Sequence, residues 1–271
     1  MTSELQACYG FEKQVSEIEI NKRFLALKSI QNPPSVSVII PVYNECDAIP
    51  RTLESLSFQN FSLGTEVIVV ANNCTDVTAD TSRKLGATVV DYCFDPNNPY
   101  SKYSQTAFAK NLGVEIAAGE IIVTTDADAI MGPNWISALT EPLRCDQNIT
   151  CVTGCTLFNT HPSIKTAMYD ITRFTTRIFQ QYATYNSPAR GNNMAFRKAD
   201  YSEIGGFDIR TFPSDDMSLG HKLNTLGRTV LLYRPEAVVF TSPRRVQNTP
   251  VINILAKRSY RNGREQPINV R

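Results

Sequence analysis

The chain has 271 residues, enough for one α/β domain or two small ones, and 42% of them are hydrophobic, enough for a sizeable core. Its formal net charge of +1 gives no global polyelectrolyte argument for nucleic acid, so no nucleic-acid partner is expected. From Thr241 to Arg271, however, seven Lys/Arg face the single acid Glu265, a net of +6 that suits phosphate groups, an anionic membrane surface or plain solvation.

Residues 1–34 read as a preamble. Val15, Ile18, Phe24, Leu25 and Leu27 have loose helical spacing, and Pro33-Pro34 stops any helix before the first strand. The spacing predicts a helix packed on the outside of the domain. The core domain is expected over 35–245, with a basic tail over 246–271.

Val36–Ile40 is short and almost wholly apolar, as central parallel strands are. It runs into Pro41-Val-Tyr43-Asn-Glu45, and Ala48–Phe58 then has helical spacing. Glu66–Val70 is a second strand, followed by Ala71-Asn72-Asn73-Cys-Thr-Asp76 and a helix to about Leu85. Ala87–Asp91 gives a third strand. An aperiodic loop rich in Asn, Pro and Tyr follows, then a helix over Ser104–Ala118 and a strand from Ile121 that ends in Asp126-Ala127-Asp128.

This fourfold β–loop–α alternation predicts an α/β fold with a mainly parallel central sheet and helices on both faces. In such sheets ligands sit at the carboxyl ends of strands, where PVYNE, ANNCTD and TTDADA all fall. Neither GxGxxG nor GxxxxGK[ST] occurs, so dinucleotide and P-loop readings lose their support.

Asp126 and Asp128, two apart on extended backbone, point the same way. Solvated acids opening a turn are one reading. The other is a hard divalent cation carrying a phosphate ligand, since paired anions at a strand end need a positive partner.

The second half is less regular. Trp135–Leu143 reads as a helix, Ile149–Phe158 as a strand interrupted at Gly154, and Ser163–Tyr182 as a long helix. Gly191-Asn192-Asn193 marks a tight backbone approach. Asp215 and Asp216 open a helix, where acids are favourable. Thr229–Leu232 and Ala237–Phe240 close the domain as short strands.

Seven cysteines without a CxxC pair read as reduced thiols, and Cys145, Cys151 and Cys155 match no standard zinc spacing. No signal-peptide core and no apolar run of transmembrane length is seen. A cytoplasmic chain follows as the expectation, soluble or in peripheral contact with a membrane.

In order, VSVIIPVYNE, EVIVVANNCTDVTAD, AKNLGVEIAAGEIIVTTDAD, RGNNMAFRK with GGFD, and SDDMSL resemble the family-2 type inverting glycosyltransferases of the GT-A fold, over roughly Val36–Arg245. The resemblance implies a UDP- or GDP-linked sugar donor in the cleft and Mg²⁺ or Mn²⁺ as cofactor. It implies that Pro41, Tyr43 and Glu45 line the nucleotide pocket, that Asn72, Asn73 and Asp76 flank base and ribose, and that Lys110 and Asn111 face the same cleft. Asp126 would lie near the ribose and Asp128 would ligate the metal, the two together forming the DxD motif. Asp216 would be the general base, with Asp215 beside it where relatives carry Glu. Arg190, Gly191, Asn192 and Asn193 would sit between donor and acceptor, and Arg244 and Arg245 would close over the pyrophosphate. Ala71-Asn72-Asn73 replaces an Asp that contacts the base in many relatives, which leaves the base open. The acceptor is open as well, with the basic C-terminus tilting toward a lipid-linked or anionic one. The alternatives are a nucleotide-binding module without turnover, another nucleotide-dependent transferase, and a membrane-surface scaffold. His221 could be a metal ligand or a structural residue.

Overall fold

The computed structural model describes residues 17–29, 34–93, 104–160, 164, 166–172, 175, 189–210 and 215–244. In chain order the elements are α1 (Glu17–Ser29), β1 (Val36–Val42), α2 (Ile49–Ser57), β2 (Thr65–Asn72), α3 (Thr78–Lys84) and β3 (Thr88–Tyr92). After them come α4 (Gln105–Ile116), β4 (Ile121–Thr125), β5 (Ile130–Met131), α5 (Trp135–Cys145), β6 (Ile149–Gly154), β7 (Thr156–Phe158) and β8 (Asn193–Arg197). The last are α6 (Lys198–Glu203), α7 (Asp215–Leu223), β9 (Arg228–Leu232) and β10 (Val239–Thr241). Residues 166–172 are also helical.

Seven strands form one sheet in the order β3-β2-β1-β4-β8-β6-β9. The four strands predicted from the alternation are mutually parallel, as expected. β8 runs antiparallel to both β4 and β6, which makes the sheet mixed. Alternation along β1 places Val36, Val38 and Ile40 in one core and Ile39 in the other, so both faces are buried. The first core packs against α2 through Ile49, Leu53 and Leu56, each burial worth roughly 1.5–3 kcal/mol. The second packs against α4 and α7 through Ala107, Val114, Leu219 and Leu223.

The predicted strand Ile149–Phe158 is two strands. β6 ends at Gly154, and β7 joins a second sheet of order β5-β10-β7. Gly154 marks the crossing because a Cβ there would collide with the Ala237 carbonyl, so only glycine lets the two sheets approach. In the preamble, α1 puts Ile20 and Phe24 in the first core and Arg23 over the Phe58 ring at 4.2 Å. Most of the Asn/Pro/Tyr loop, the second half of the long predicted helix, Arg245 and the basic tail lie outside the described residues.

Candidate active site

The carboxyl ends of β1, β2 and β4 open into a cleft of about 570 Å³. Pro41, Tyr43, Glu45, Asn72, Asn73, Asp126 and Asp128, all singled out in the sequence, line it, and Gln105, Thr106 and Ala109 of α4 join them. The last three were missed. Their signal was Ser104, whose hydroxyl accepts the Ala107 N–H at 3.2 Å and so fixes where α4 begins.

Two loops are tied together at one side of the cleft. Asn44 and Asn73 both take positive φ (50° and 56°), a conformation Asn tolerates better than most residues. The Asn44 side chain accepts the Thr75 N–H at 2.8 Å and donates to the Thr75 hydroxyl at 3.1 Å. Asp76 accepts the Thr78 N–H at 3.0 Å and the Cys46 N–H at 3.3 Å. Burial pushes the Asp76 carboxyl up, but these hydrogen bonds outweigh it and hold the group below its ordinary value. Asp76 thus shapes the pocket wall from behind and does not line the cleft. Tyr43, at 63% exposed, projects at the mouth.

The Asp126-Ala127-Asp128 turn is pinned by the Thr52 hydroxyl, which donates to the Ala127 carbonyl at 2.6 Å. Thr241 donates to Asp128 Oδ1 at 2.9 Å. Arg244 reaches over the mouth, its guanidinium 2.6 Å from Glu45 and 3.6 Å from Asp128 Oδ2. The Glu45 hydrogen bond is the main reason its pKa lies above the ordinary arginine value. The donor set is hard carboxylate oxygen on an open cleft. That suits Mg²⁺ or Mn²⁺, which keep several waters and take phosphate oxygens beside one or two carboxylates. Among the described residues no group of three or more His, Cys, Asp and Glu could hold a metal by protein ligands alone. His221 is exposed in the last turn of α7, where a basic group suits the helix dipole. Cys151 and Cys155 are buried while Cys145 is exposed, so these three do not form a shared site.

Beside the cleft, Lys110 is 3% exposed and lies 3.1 Å from Asp215 Oδ2 while also bonding Asp216 Oδ1. Its ammonium sits 4.9 Å from the centre of the Phe207 ring. Burial pulls the Lys110 pKa down, but Asp216 and Asp215, with a further contribution from Asp126, outweigh it and drive it up. Burial and then repulsion from Asp216 raise Asp215. Asp216 is also pushed up by burial, yet the Lys110 charge and the Gly191 N–H bring it below the ordinary carboxylate value. A Cβ on Gly191 would meet both the Asp216 carboxylate and the Lys110 ammonium, which is the close approach that the sequence signalled.

Besides Asp76 and Lys110, which do not line the cleft, two further predicted cleft residues are corrected. Asn111 donates to the Phe207 carbonyl at 2.9 Å and accepts the Phe207 N–H at 3.0 Å and the Tyr201 hydroxyl. Its amide is committed to the turn behind Lys110. Asn193 is fully buried: it accepts Trp135 Nε1–H at 3.0 Å and donates to the Cys155 and Ala237 carbonyls, both at 2.8 Å. It clamps the two sheets together rather than facing a donor. Asn192 stays near the strand ends, its carbonyl accepting from Thr125 at 3.2 Å and its side chain from Thr156 at 3.3 Å. Arg190, next to Gly191, adds positive charge that favours the ionised Asp216.

The model of the family described as glycosyltransferase like family 2 matches residues 33–264. A 4,4'-diaponeurosporenoate glycosyltransferase of Staphylococcus haemolyticus is 31% identical over 132 residues, 47% of this chain and 34% of that protein. The chain therefore spans about a third of that relative's length. Among solved structures, a mannosyltransferase from Pyrobaculum calidifontis in complex with GDP-Man and Mn²⁺ superposes with a TM-score of 0.57 at 22% identity. That match covers 97% of this chain and 75% of the other. Glucosyl-3-phosphoglycerate synthase from Mycobacterium tuberculosis, with Mn²⁺, UDP-Glc and phosphoglyceric acid, gives 0.55 at 17% identity, covering 85% and 78%. At these identities the likeness establishes the fold, which is of the GT-A type.

Proposed function

The chain belongs to glycosyltransferase like family 2, and from that premise we propose that it transfers a sugar from a UDP- or GDP-linked donor to an acceptor hydroxyl with inversion at the anomeric carbon. The observation that carries this reading is the adjacency of two acid pairs. Asp126 and Asp128 line the cleft, and Asp215 and Asp216 stand beside it; Asp126, Asp215 and Asp216 all act on the charge of Lys110, while Asp128 faces Arg244.

In this reading the nucleoside lies between Pro41, Tyr43 and the Asn72-Asn73 amides, which can both donate and accept toward a base. Asp126 and Asp128 would hold the divalent cation, whose charge would offset the negative charge of the diphosphate leaving group. Arg244 adds a second positive group at the mouth, with Arg245 following it in the chain. Asp216 takes the proton of the acceptor hydroxyl as that oxygen attacks. Lys110 and the Gly191 N–H keep its carboxyl ionised and aimed. Asp215, fixed by Lys110, restricts where Asp216 can move and shapes the acceptor side. The likeness to structures solved with GDP-Man, UDP-Glc and Mn²⁺ supports this choice of donor class and metal.

The test is calorimetric titration of UDP and of GDP, each with Mn²⁺ and with EDTA, on wild type and Asp128→Ala. Metal-dependent binding of one nucleotide, lost in the variant, is expected and names the base. That nucleotide's sugars then serve as donors, with Asp216→Asn expected to bind them and not turn over. A folded protein that binds no nucleotide diphosphate under any of these conditions sinks the reading.

A further inference from the structure

We propose that the helix containing residues 166–172 is a membrane-docking surface that rests on an anionic lipid bilayer. Ile164, Met168 and Ile171 have the i, i+4, i+7 spacing of one helix face. They are 80%, 60% and 63% exposed, while Thr166 and Asp170 on the opposite side are buried. The pattern is inverted relative to a surface helix of a globular protein, whose apolar stripe faces the core. Three large exposed apolar side chains on one helix face are the kind of feature that marks an interaction site.

Charge selects the partner. From 159 to 190 the sequence carries Lys165, Arg173, Arg177 and Arg190 against a single acid, Asp170. That acid is turned into the fold, where its carboxylate accepts the Phe158 N–H at 2.7 Å. An outward apolar face in a stretch of net +3 suits a surface that is both apolar beneath and anionic above, which describes an acidic bilayer. The strongly basic segment 241–271 adds charge of the same sign.

The helix is also tied to the cleft. The Phe158 and Tyr169 rings stack at 5.7 Å, and Phe158 pairs in register with Thr241, the residue that donates to Asp128. The docking helix would therefore be linked to the cleft through Phe158 and Thr241. The inference stands on the helix and its charge alone, so it does not depend on the donor chemistry above.

The experiment is sedimentation of the full chain with phosphatidylcholine vesicles, with and without about 30 mol% phosphatidylglycerol, at low and at high salt. The variant combines Ile164→Ser, Met168→Ser and Ile171→Ser, and Leu25→Ser, an exposed apolar residue on α1, is the control. Binding to the anionic vesicles is expected, about tenfold or more weaker on neutral vesicles and in the triple variant, and unchanged in the control. All three proteins should melt alike, because the altered side chains are exposed. Absence of binding at low salt, or equal binding by the triple variant, overturns the proposal. So does self-association that the triple variant abolishes without any vesicle binding, which would assign the face to a second copy of the chain.

Discussion

Lys110 and Asp215 stand 105 positions apart in the chain and 3.1 Å apart in the fold. The lysine lies mid-way along α4 and the aspartate opens α7, so one ion pair joins the parallel half of the sheet to the second half. The same ammonium holds Asp216. Two carboxylates side by side at a buried position repel each other, and a single cation between them makes the arrangement tolerable.

Removing that cation is therefore expected to be costly in two separate ways. Lys110→Met keeps the volume and strands two acids, for which about 3–5 kcal/mol of destabilisation is the usual scale. Urea unfolding of the variant should show it. Turnover should fall by about 10²–10⁴-fold as well, since Asp216 loses its alignment. A Lys110→Met protein with wild-type stability would show that the cluster is not buried as a unit.

The pH dependence follows from the signs. Asp216 is depressed on folding, so its contribution is present above the unfolded value of about 3.9 and is lost as pH falls through the lower folded value. Lys110 is raised, so its contribution is complete below about 10.4 and is lost as pH rises through the higher folded value. Asp215 is raised and opposes Asp216 on the acid side. Replacing it by Asn removes a repelling charge from Asp216. The acid limb of the kcat/KM profile should then move to lower pH in Asp215→Asn and to higher pH in Lys110→Met. Limbs that do not move would assign the titration to another group.

How much of this was legible beforehand depended on range. The Asp126–Asp128 pair, the PVYNE end of β1 and the Asn72-Asn73 turn each sit where a local apolar run stops, so pattern alone placed them in one cleft. Gly191 was legible as a close approach, but not what approaches it, because Asp216 and Lys110 arrive from distant segments. Asn111 and Asn193 were misjudged for the same reason. An Asn beside a motif looks like a ligand-binding amide until its long-range partners, Phe207 and Tyr201 or Trp135 and Ala237, are known. Thr241 left no signal at all, since only the pairing of β10 with β5 and β7 brings it to Asp128. The antiparallel β8 was hidden within a segment whose turn residues dominated the reading.

Gly191→Ala isolates Asp216, the proposed base, from the rest of the site. The added methyl has no room between Asp216 and Lys110, and both are the ends of side chains that can swing away. The fold should survive, with a melting temperature within a few degrees of wild type for a loss of about 1 kcal/mol. The displaced carboxylate should lower kcat by about tenfold or more while the KM for donor stays near its starting value. An equal rise in KM would place Gly191 against the donor instead.

Arg244 poses a question of sign, because it has two anionic neighbours and two opposing effects. Its guanidinium is about half exposed, so the Glu45 and Asp128 contacts contribute at most about 1 kcal/mol to stability. Arg244→Ala should therefore unfold at nearly the wild-type denaturant concentration. Near Asp128, however, the guanidinium is a positive charge 3.6 Å from a proposed metal-ligand oxygen, and it disfavours a cation there. Its removal should leave Mn²⁺ binding in the absence of nucleotide unchanged or tighter. In the proposed donor complex the same group would become a partner for phosphate oxygen. Binding of the nucleotide diphosphate with Mn²⁺ should accordingly weaken by about tenfold, the scale of one charge-assisted hydrogen bond. Two calorimetric titrations separate these effects. If both affinities rise in Arg244→Ala, the arginine only competes with the metal and does not close over the donor. If both fall, it orders the loop that carries Asp128. A nucleotide affinity that falls while the metal affinity holds or rises is the outcome expected of a cation that would leave Asp128 for the phosphates.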